Sequence, residues 1–422
     1  MNHLSVFIVA TSCVLAVVHA AVVLPWVLRT VLASFPRSKA YIPKAAAVLS
    51  LRGDDPFLDR CLRGLLRQDY PDYDVFVVVD HCEDPAWRRV RALVGDEPRL
   101  LIDVVRERRS TCSLKCGALR QVLENLDPTY EAVAWVDADV VPHPNYLREL
   151  IAPLGDARIG CTTGNRWYLP PDAQWGTLVR YLWNAFVVVP MYWNGVVWGG
   201  TAAFRTALLR HTDLLDRLAL SLSEDSELRA AVDDAGLLAY SVPTLLMTNR
   251  ESCQLADLLP WLTRQFFLVR TYYRTRPIDK LIRGYWAAGA IWTAAVLTAV
   301  VQAAVGDDSA TLRPVVAGVG LVIASLLVWT PIMEASVARI RRRRGDDIRW
   351  LAGSKVLRLV VAVPLTAAVM VAALVAAGRL RVFRWRGISY EVAGPHQVRM
   401  QSYVPYAETT GRIESNAGAS TM

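Results

Sequence analysis

Trp135-Val136-Asp137-Ala138-Asp139 sets two carboxylates two residues apart at the end of an apolar run. Hard oxygen ligands at that spacing suit Mg2+ or Mn2+ bridging a diphosphate. Acidic loops are common, so the pair alone is a weak signal. It gains weight from its setting, because Ala132–Val136 has a buried-strand pattern and a second such run, Val75–Val79, ends in Asp80. A carboxylate at a strand end can accept hydrogen bonds from a base or ribose. It can equally cap the helix that follows. Ser223-Glu224-Asp225-Ser226-Glu227-Leu228 places more acids before a helical stretch. Either Glu224 or Asp225 caps that helix, or Asp225 is a general base that takes the proton of an attacking hydroxyl.

Cations accompany these acids. Lys115 precedes a helix that contains Gly117, a place for a phosphate contact or for a solvated lysine. Arg264 and Gln265 are candidates for holding a departing diphosphate, since the planar guanidinium fork matches phosphate oxygens. His143 has no second histidine at ligand spacing, so a surface or hydrogen-bonding role is expected. Trp167, Trp175, Trp183, Trp193 and Trp198 crowd one stretch of chain, either bounding an acceptor cleft or anchoring at a membrane interface. The seven cysteines are odd in number and scattered, and Cys112 and Cys116 lack the partners of a zinc site. They read as reduced thiols facing the cytosol.

The elements that must position these groups follow from the apolar pattern. Ala45–Leu51, Val75–Val79, Leu100–Val105 and Ala132–Val136 read as strands, alternating with helices at Phe57–Gln68 and Cys116–Leu126. That alternation implies a mostly parallel sheet covered on both faces, with ligands at the carboxyl ends of the strands. Residues 45–252 are thus expected to form an α/β unit. Around it the chain is apolar. It has 422 residues, 53% of them hydrophobic and 20% charged, with a mean hydropathy of +0.26. Leu4–Leu32 is long enough to cross a bilayer, which takes about 20 residues, so residues 1–33 are expected to form a transmembrane helix. Arg29, Arg37, Lys39 and Lys44 follow it and place the α/β unit in the cytoplasm.

Within residues 253–278, Leu255, Leu258, Leu259, Leu262, Phe266 and Val269 form one stripe at helical spacing. The expectation is an amphipathic helix on the membrane surface with Arg264 turned toward the protein, or else an ordinary surface helix. Residues 285–377 hold three apolar segments, Tyr285–Val305, Val315–Met333 and Val356–Ala377. Asp307 and Asp308 mark an external loop and Arg339–Arg349 a cytoplasmic one. Simple alternation puts the tail, residues 378–422, outside. Its Arg379, Arg381, Arg384 and Arg386 argue for the inside, which makes the segment containing Pro364 a candidate for re-entry. The net charge of +8 is concentrated beside apolar stretches, which fits a membrane and not a nucleic acid.

Together these features resemble the membrane-bound family 2-type glycosyltransferases with a GT-A fold, over residues 45 to 273. Trp385-Arg386-Gly387-Ile388-Ser389-Tyr390 is similar to the short tail motif of the ceramide-glucosyltransferase-like branch. The resemblance implies a nucleotide-sugar donor, with UDP the default, and a divalent cation, Mn2+ or Mg2+. It makes Asp80 the base-binding acid, Asp137 and Asp139 the D-x-D pair with Asp139 the metal ligand, and Asp225 of Glu224-Asp225 the base. Gly199 to Arg205 resembles the acceptor-side loop. The family's Q-x-x-R-W motif is altered: Trp261-Leu262-Thr263-Arg264-Gln265 keeps the arginine but has Trp at the Gln position and Gln265 at the Trp position. That departure favours transfer of a single sugar to a membrane lipid over a processive polysaccharide synthase. A membrane scaffold or transporter is the non-enzymatic alternative, opposed by the scarcity of ionisable residues inside the spans, Glu334 being at a boundary.

Overall fold

The computed structural model describes residues 3–33, 41–95, 97–273, 277–306, 309–346, 348, 350 and 354–406. The chain begins with α1 (His3–Leu32). It continues through β1 (Ala45–Leu51), α2 (Leu58–Leu65), β2 (Tyr73–Val79), α3 (Pro85–Val94), β3 (Leu100–Val104), α4 (Leu114–Glu124), β4 (Ala132–Val136) and α5 (Tyr146–Ile151). Then come β5 (Ile159–Tyr168), α6 (Trp175–Trp193), β6 (Thr201–Arg205), α7 (Ala207–His211), α8 (Leu214–Leu218), α9 (Glu224–Asp234) and β7 (Leu238–Asn249). Four long helices follow, α10 (Leu255–Tyr272), α11 (Pro277–Gly306), α12 (Ser309–Arg343) and α13 (Ser354–Arg379), and the described chain closes on β8 (Val382–Trp385), β9 (Ile388–Gly394) and β10 (Gln397–Ser402).

Strands β1 to β7 form one sheet in the order β3-β2-β1-β4-β6-β5-β7. β1 pairs in parallel with both β2 and β4, and β2 in parallel with β3. β6 runs antiparallel to β4 and β5, while β5 and β7 are parallel. Alternation along β1 shows why so apolar a run is a strand. Ala45, Ala47 and Leu49 enter one core with Leu58, Leu62, Ala86 and Val90 of α2 and α3. Ala46 and Val48 enter the other with Leu119 of α4 and Leu228 and Val232 of α9. A strand buried on both faces has no polar side. The strand order reverses direction between β1 and β4, so the crevice at their carboxyl ends is where a ligand is expected.

A third core joins the unit to the long helices. Trp26 of α1, Trp167, Leu178 and Leu182, Leu258 and Leu262 of α10, Met333 and Val337 of α12, and Leu359 and Ala373 of α13 pack together. Two members of the α10 stripe are therefore buried against protein, while Leu259 is exposed. The stripe is divided between a protein contact and an outer face. Among the described residues, three helices are long and apolar enough to cross a membrane: His3–Leu32, Leu312–Arg343 and Lys355–Arg379. The segment expected at Tyr285–Val305 falls in α11, whose apolar stretch among the described residues is the shorter Ile291–Gln302. Asp307 and Asp308, and Arg37 and Lys39, lie outside the described residues. The basic run expected to be a loop is helical through Arg343.

β8, β9 and β10 form a separate antiparallel sheet. Phe383, Ile388 and Tyr390 pack with Leu114, Leu222, Phe267 and Ala377. The Tyr390 hydroxyl accepts from the Leu114 amide at 3.2 Å, and the Met400 amide donates to the Ser110 carbonyl at 2.6 Å. The described part of the tail thus sits on the α/β unit. α13 makes this connection possible. Near its start Arg358 donates to the Ala173 carbonyl, and near its end Ala377 accepts from Arg270, each at 3.0 Å. One end of the Pro364-containing helix thus touches the α/β unit and the other touches α10.

Candidate active site

Asp80 and Asp137 leave β2 and β4, the two neighbours of β1, at the same edge of the sheet. The acids they belong to form two adjoining clusters. In the first, the Lys115 ammonium lies 2.5 Å from Asp137 Oδ1 and 2.6 Å from Glu224 Oε1. Ser113 caps α4 by accepting from the Cys116 amide at 3.1 Å, which fixes the turn that carries Lys115. The lysine ties the end of β4 to the start of α9, and these two carboxylates take two of its three N–H donors. Burial alone would lower its pKa, but Asp137 and Glu224 outweigh burial and raise it. Burial would raise Asp137, yet Lys115 and then Arg166 hold it below the usual carboxylate value. Glu224 is pushed up to about 7, by burial first, with Lys115 opposing and Asp225 and Asp137 adding.

Asp225 lies in the first turn of α9, after the N-cap residue Ser223. Its Oδ1 accepts from the Ser226 amide at 2.7 Å and the Ser223 hydroxyl at 2.5 Å. Its Oδ2 accepts from the Gly199 amide at 3.1 Å. The same loop explains two glycines. A Cβ on Gly199 would collide with Glu224 Oε1, and one on Gly200 would collide with Trp198 and stand 2.9 Å from Asp137 Oδ2. Only glycine lets this backbone come so close to the acids.

Asp139 pairs with Arg166, a residue on β5 that no sequence spacing singled out. Arg166 Nη2 is 2.7 Å from Asp139 Oδ2, and the arginine is half-buried. Arg166 also donates to the Tyr168 hydroxyl at 2.9 Å and lies over the Trp198 ring. The other oxygen, Asp139 Oδ1, is buried with no hydrogen-bond partner among the described residues. Burial, together with Asp137 and Asp55, raises the Asp139 pKa despite Arg166. An orphaned carboxylate oxygen beside a second carboxylate fits a hard divalent cation. Glu251, also unforeseen, adds a buried orphan, Oε2. It is raised to about 7 by burial, with Arg180 opposing and Asp139 and Asp55 adding.

Asp80 heads the second cluster and is only 1% exposed. Arg52 bonds its Oδ2, Arg108 Nε lies 3.3 Å from Oδ1, and the Tyr403 hydroxyl donates to Oδ1 and Oδ2 at 3.1 and 3.2 Å. Its carboxylate is already engaged, in part by the C-terminal segment. It does not cap α3; Asp84 does, accepting from the Ala86 amide at 2.8 Å. Asp80, His81 and Asp84 bring possible ligand atoms within 4.8 Å of one another. Asp84 spends both oxygens on the Gly53 amide at 3.0 Å, so this group offers a cation less than Asp139 does.

Arg264 is buried within α10, as expected, and its pKa is pushed down to about 10 by burial and then by the nearby charge of Arg386. No hydrogen bond joins Gln265 to the acids among the described residues. Trp261 stands edge-on to Tyr168 at 6.0 Å and to Trp183 at 4.9 Å. Trp167 is fully buried, whereas Trp175 and Trp193 are exposed. His143 is half-buried, 3.7 Å from Glu149, and loss of solvent pushes its pKa down to about 3. All seven cysteines are free thiols.

The family model described as Glycosyl transferase family 21 matches residues 6–397. No curated protein gives a significant sequence match. Among solved structures, the chain is similar to a mannosyltransferase from Pyrobaculum calidifontis in complex with GDP-Man and Mn2+. Identity is 17% over 88% of this chain and 97% of that one, with a TM-score of 0.45. It is also similar to glucosyl-3-phosphoglycerate synthase from Mycobacterium tuberculosis in complex with Mn2+ and UDP-glucose. There the identity is 18% over 50% of this chain and 72% of that one, with a TM-score of 0.33.

Proposed function

The chain belongs to glycosyl transferase family 21 and is a glycosyltransferase that uses a nucleotide-sugar donor; we propose that it moves one sugar to a hydroxyl of a membrane lipid, with inversion. The observation that carries the site assignment is the buried, unpartnered Oδ1 of Asp139 beside Asp137 and Arg166. Asp139, assisted by Asp137, would hold Mn2+ or Mg2+, which when bound offsets charge on the diphosphate. Arg264, buried and cationic, faces the same charge. Fixed charges of this kind do not need to reorganise as the bond to the sugar breaks.

Asp225 is the proposed general base. Its oxygens are oriented by Gly199, Ser223 and Ser226, which leaves a positioned carboxylate for the acceptor hydroxyl proton. Glu224 stands beside it and ties it to the donor side through Lys115. Asp80 marks the base end of the crevice, and a base that bonds to it has to displace the Tyr403 hydroxyl. The altered motif around Trp261 and Gln265 supports single transfer over polymer extension. Candidate spans and basic runs at their ends support a multi-pass membrane protein with the α/β unit in the cytoplasm.

The test is a transfer assay on the full chain in native membranes, with labelled nucleotide sugars and Mn2+ or Mg2+. A single lipid-extractable glycoside supports the reading, and a ladder of polymers overturns single transfer.

A further inference from the structure

Arg386 belongs to the C-terminal tail, far in sequence from every acid in the crevice. Trp385 pairs with Ile388 across the β8–β9 hairpin, so Arg386-Gly387 is a two-residue turn. Both turn residues have positive φ, 44° at Arg386 and 77° at Gly387. Hairpins of this kind favour Asn, Asp or Gly at the first position, and an arginine there is held in a sparsely populated conformation. Arg386 has the only positive φ outside glycine among the described residues. Strain of this sort persists where surroundings over-determine it.

The surroundings do so here. Arg386 Nη1 donates to the Arg52 carbonyl, and Arg52 Nε returns a bond to the Arg386 carbonyl at 3.0 Å. Nη2 lies 3.2 Å from Asp55 Oδ2. The side chain is 9% exposed, and its Nε–H is buried with no partner among the described residues. The hairpin therefore inserts a guanidinium with a spare donor at the end of β1, in the mouth of the crevice. Its charge is felt by Asp137 and by Arg264. Asp55 already faces Nη2, so the donor left over in that mouth is the buried Nε–H.

We infer that Arg386 is a donor-binding residue that contacts the diphosphate of the nucleotide. This rests on the nucleotide-sugar reading of the same crevice. The tail motif is then part of the active site, and the hairpin completes the phosphate subsite that Arg264 begins. Arg is needed over Lys because a fork can hold Asp55 and a phosphate oxygen together.

The experiment compares binding of UDP and GDP with UMP and GMP, in Mn2+, to the purified full-length protein. Wild type, Arg386→Ala, Arg386→Lys and Tyr390→Phe are tested. Tyr390→Phe weakens hairpin docking at Leu114 without touching the guanidinium. Wild type is expected to prefer one diphosphate to its monophosphate. Arg386→Ala should weaken the diphosphate roughly 10-fold or more, as loss of a charge-assisted contact does, and the monophosphate much less. Arg386→Lys should recover part of the loss, and Tyr390→Phe should keep the wild-type preference. Equal weakening of both nucleotides by Arg386→Ala, no weakening, or the same loss in Tyr390→Phe would overturn the inference alone. Failure of wild type to bind any of the four would overturn the nucleotide-sugar reading beneath it.

Discussion

Arg166 Nη2 sits 2.7 Å from Asp139 Oδ2, and the opposite oxygen of Asp139 has no partner among the described residues. Asp139 is thus half committed to protein and half available. Asp139→Asn should lower turnover about 10²-fold or more, the usual loss for one charge-stabilising group. It should also strand the Arg166 charge and lower the thermal midpoint. Turnover measured on folded enzyme across a Mn2+ titration checks this; near wild-type rates would remove Asp139 from the site.

Glu224 gives a pH signature. Its folded pKa is about 7 against an ordinary 4.5, because burial outweighs Lys115. Between those values the folded protein keeps a proton that the unfolded chain has lost. Stability therefore falls as pH rises through that window, by at most about 1.4 kcal/mol per pH unit. Glu224→Gln should lack this slope, whatever its absolute stability. Thermal midpoints of the two proteins between pH 4.5 and 7 decide it, and parallel curves would contradict the assignment.

Asp225→Asn separates basicity from architecture. An amide oxygen can still accept from the Gly199 amide or from the Ser226 amide, so the fold should hold. Turnover should fall about 10²-fold or more while donor binding stays near wild type. A comparable loss of donor affinity would make Asp225 a binding residue and move the base elsewhere, with Glu251 the next carboxylate to substitute.

Asp80→Asn is expected to act on stability as much as on nucleotide binding. Arg52 is 3% exposed and loses its charged partner, a change that commonly costs about 3 kcal/mol or more. Arg52 also holds the Val404 carbonyl at 2.5 Å, so the tail should loosen. Faster proteolysis near Tyr403 together with a lower midpoint is the expected result; an unchanged midpoint would mean that the Arg52 pair contributes little.

Much of this arrangement is written in local pattern. Ala45–Leu51 and Ala132–Val136 are apolar runs with no polar face, and β1 and β4 have those bounds. Because both are parallel and adjacent, the acids that follow β2 and β4 had to share an edge. Arg264 was legible for a similar reason, since helical spacing set it apart from the apolar stripe. What was not legible depends on contacts without a period. Arg166 is one charge in a strand, and its spacing carries no sign of Asp139. Arg386 stands in a motif visible by resemblance, but its meeting with Arg52 spans 334 residues. Asp80 is legible as an acid at a strand end, but its bond from Tyr403 depends on the returning tail. The helix at Leu255–Tyr272 was foreseen in type, whereas burial of Leu258 and Leu262 required the positions of α6 and α13.

The most direct test of the central claim is thermal stability of the full-length protein against a panel of nucleotide sugars, each with and without Mn2+. A donor that binds the folded state raises the midpoint by mass action. The account predicts a rise for a restricted set of donors, dependent on Mn2+ and lost in Asp139→Asn. A panel in which no nucleotide sugar shifts the wild-type midpoint, with the metal or without it, would contradict it.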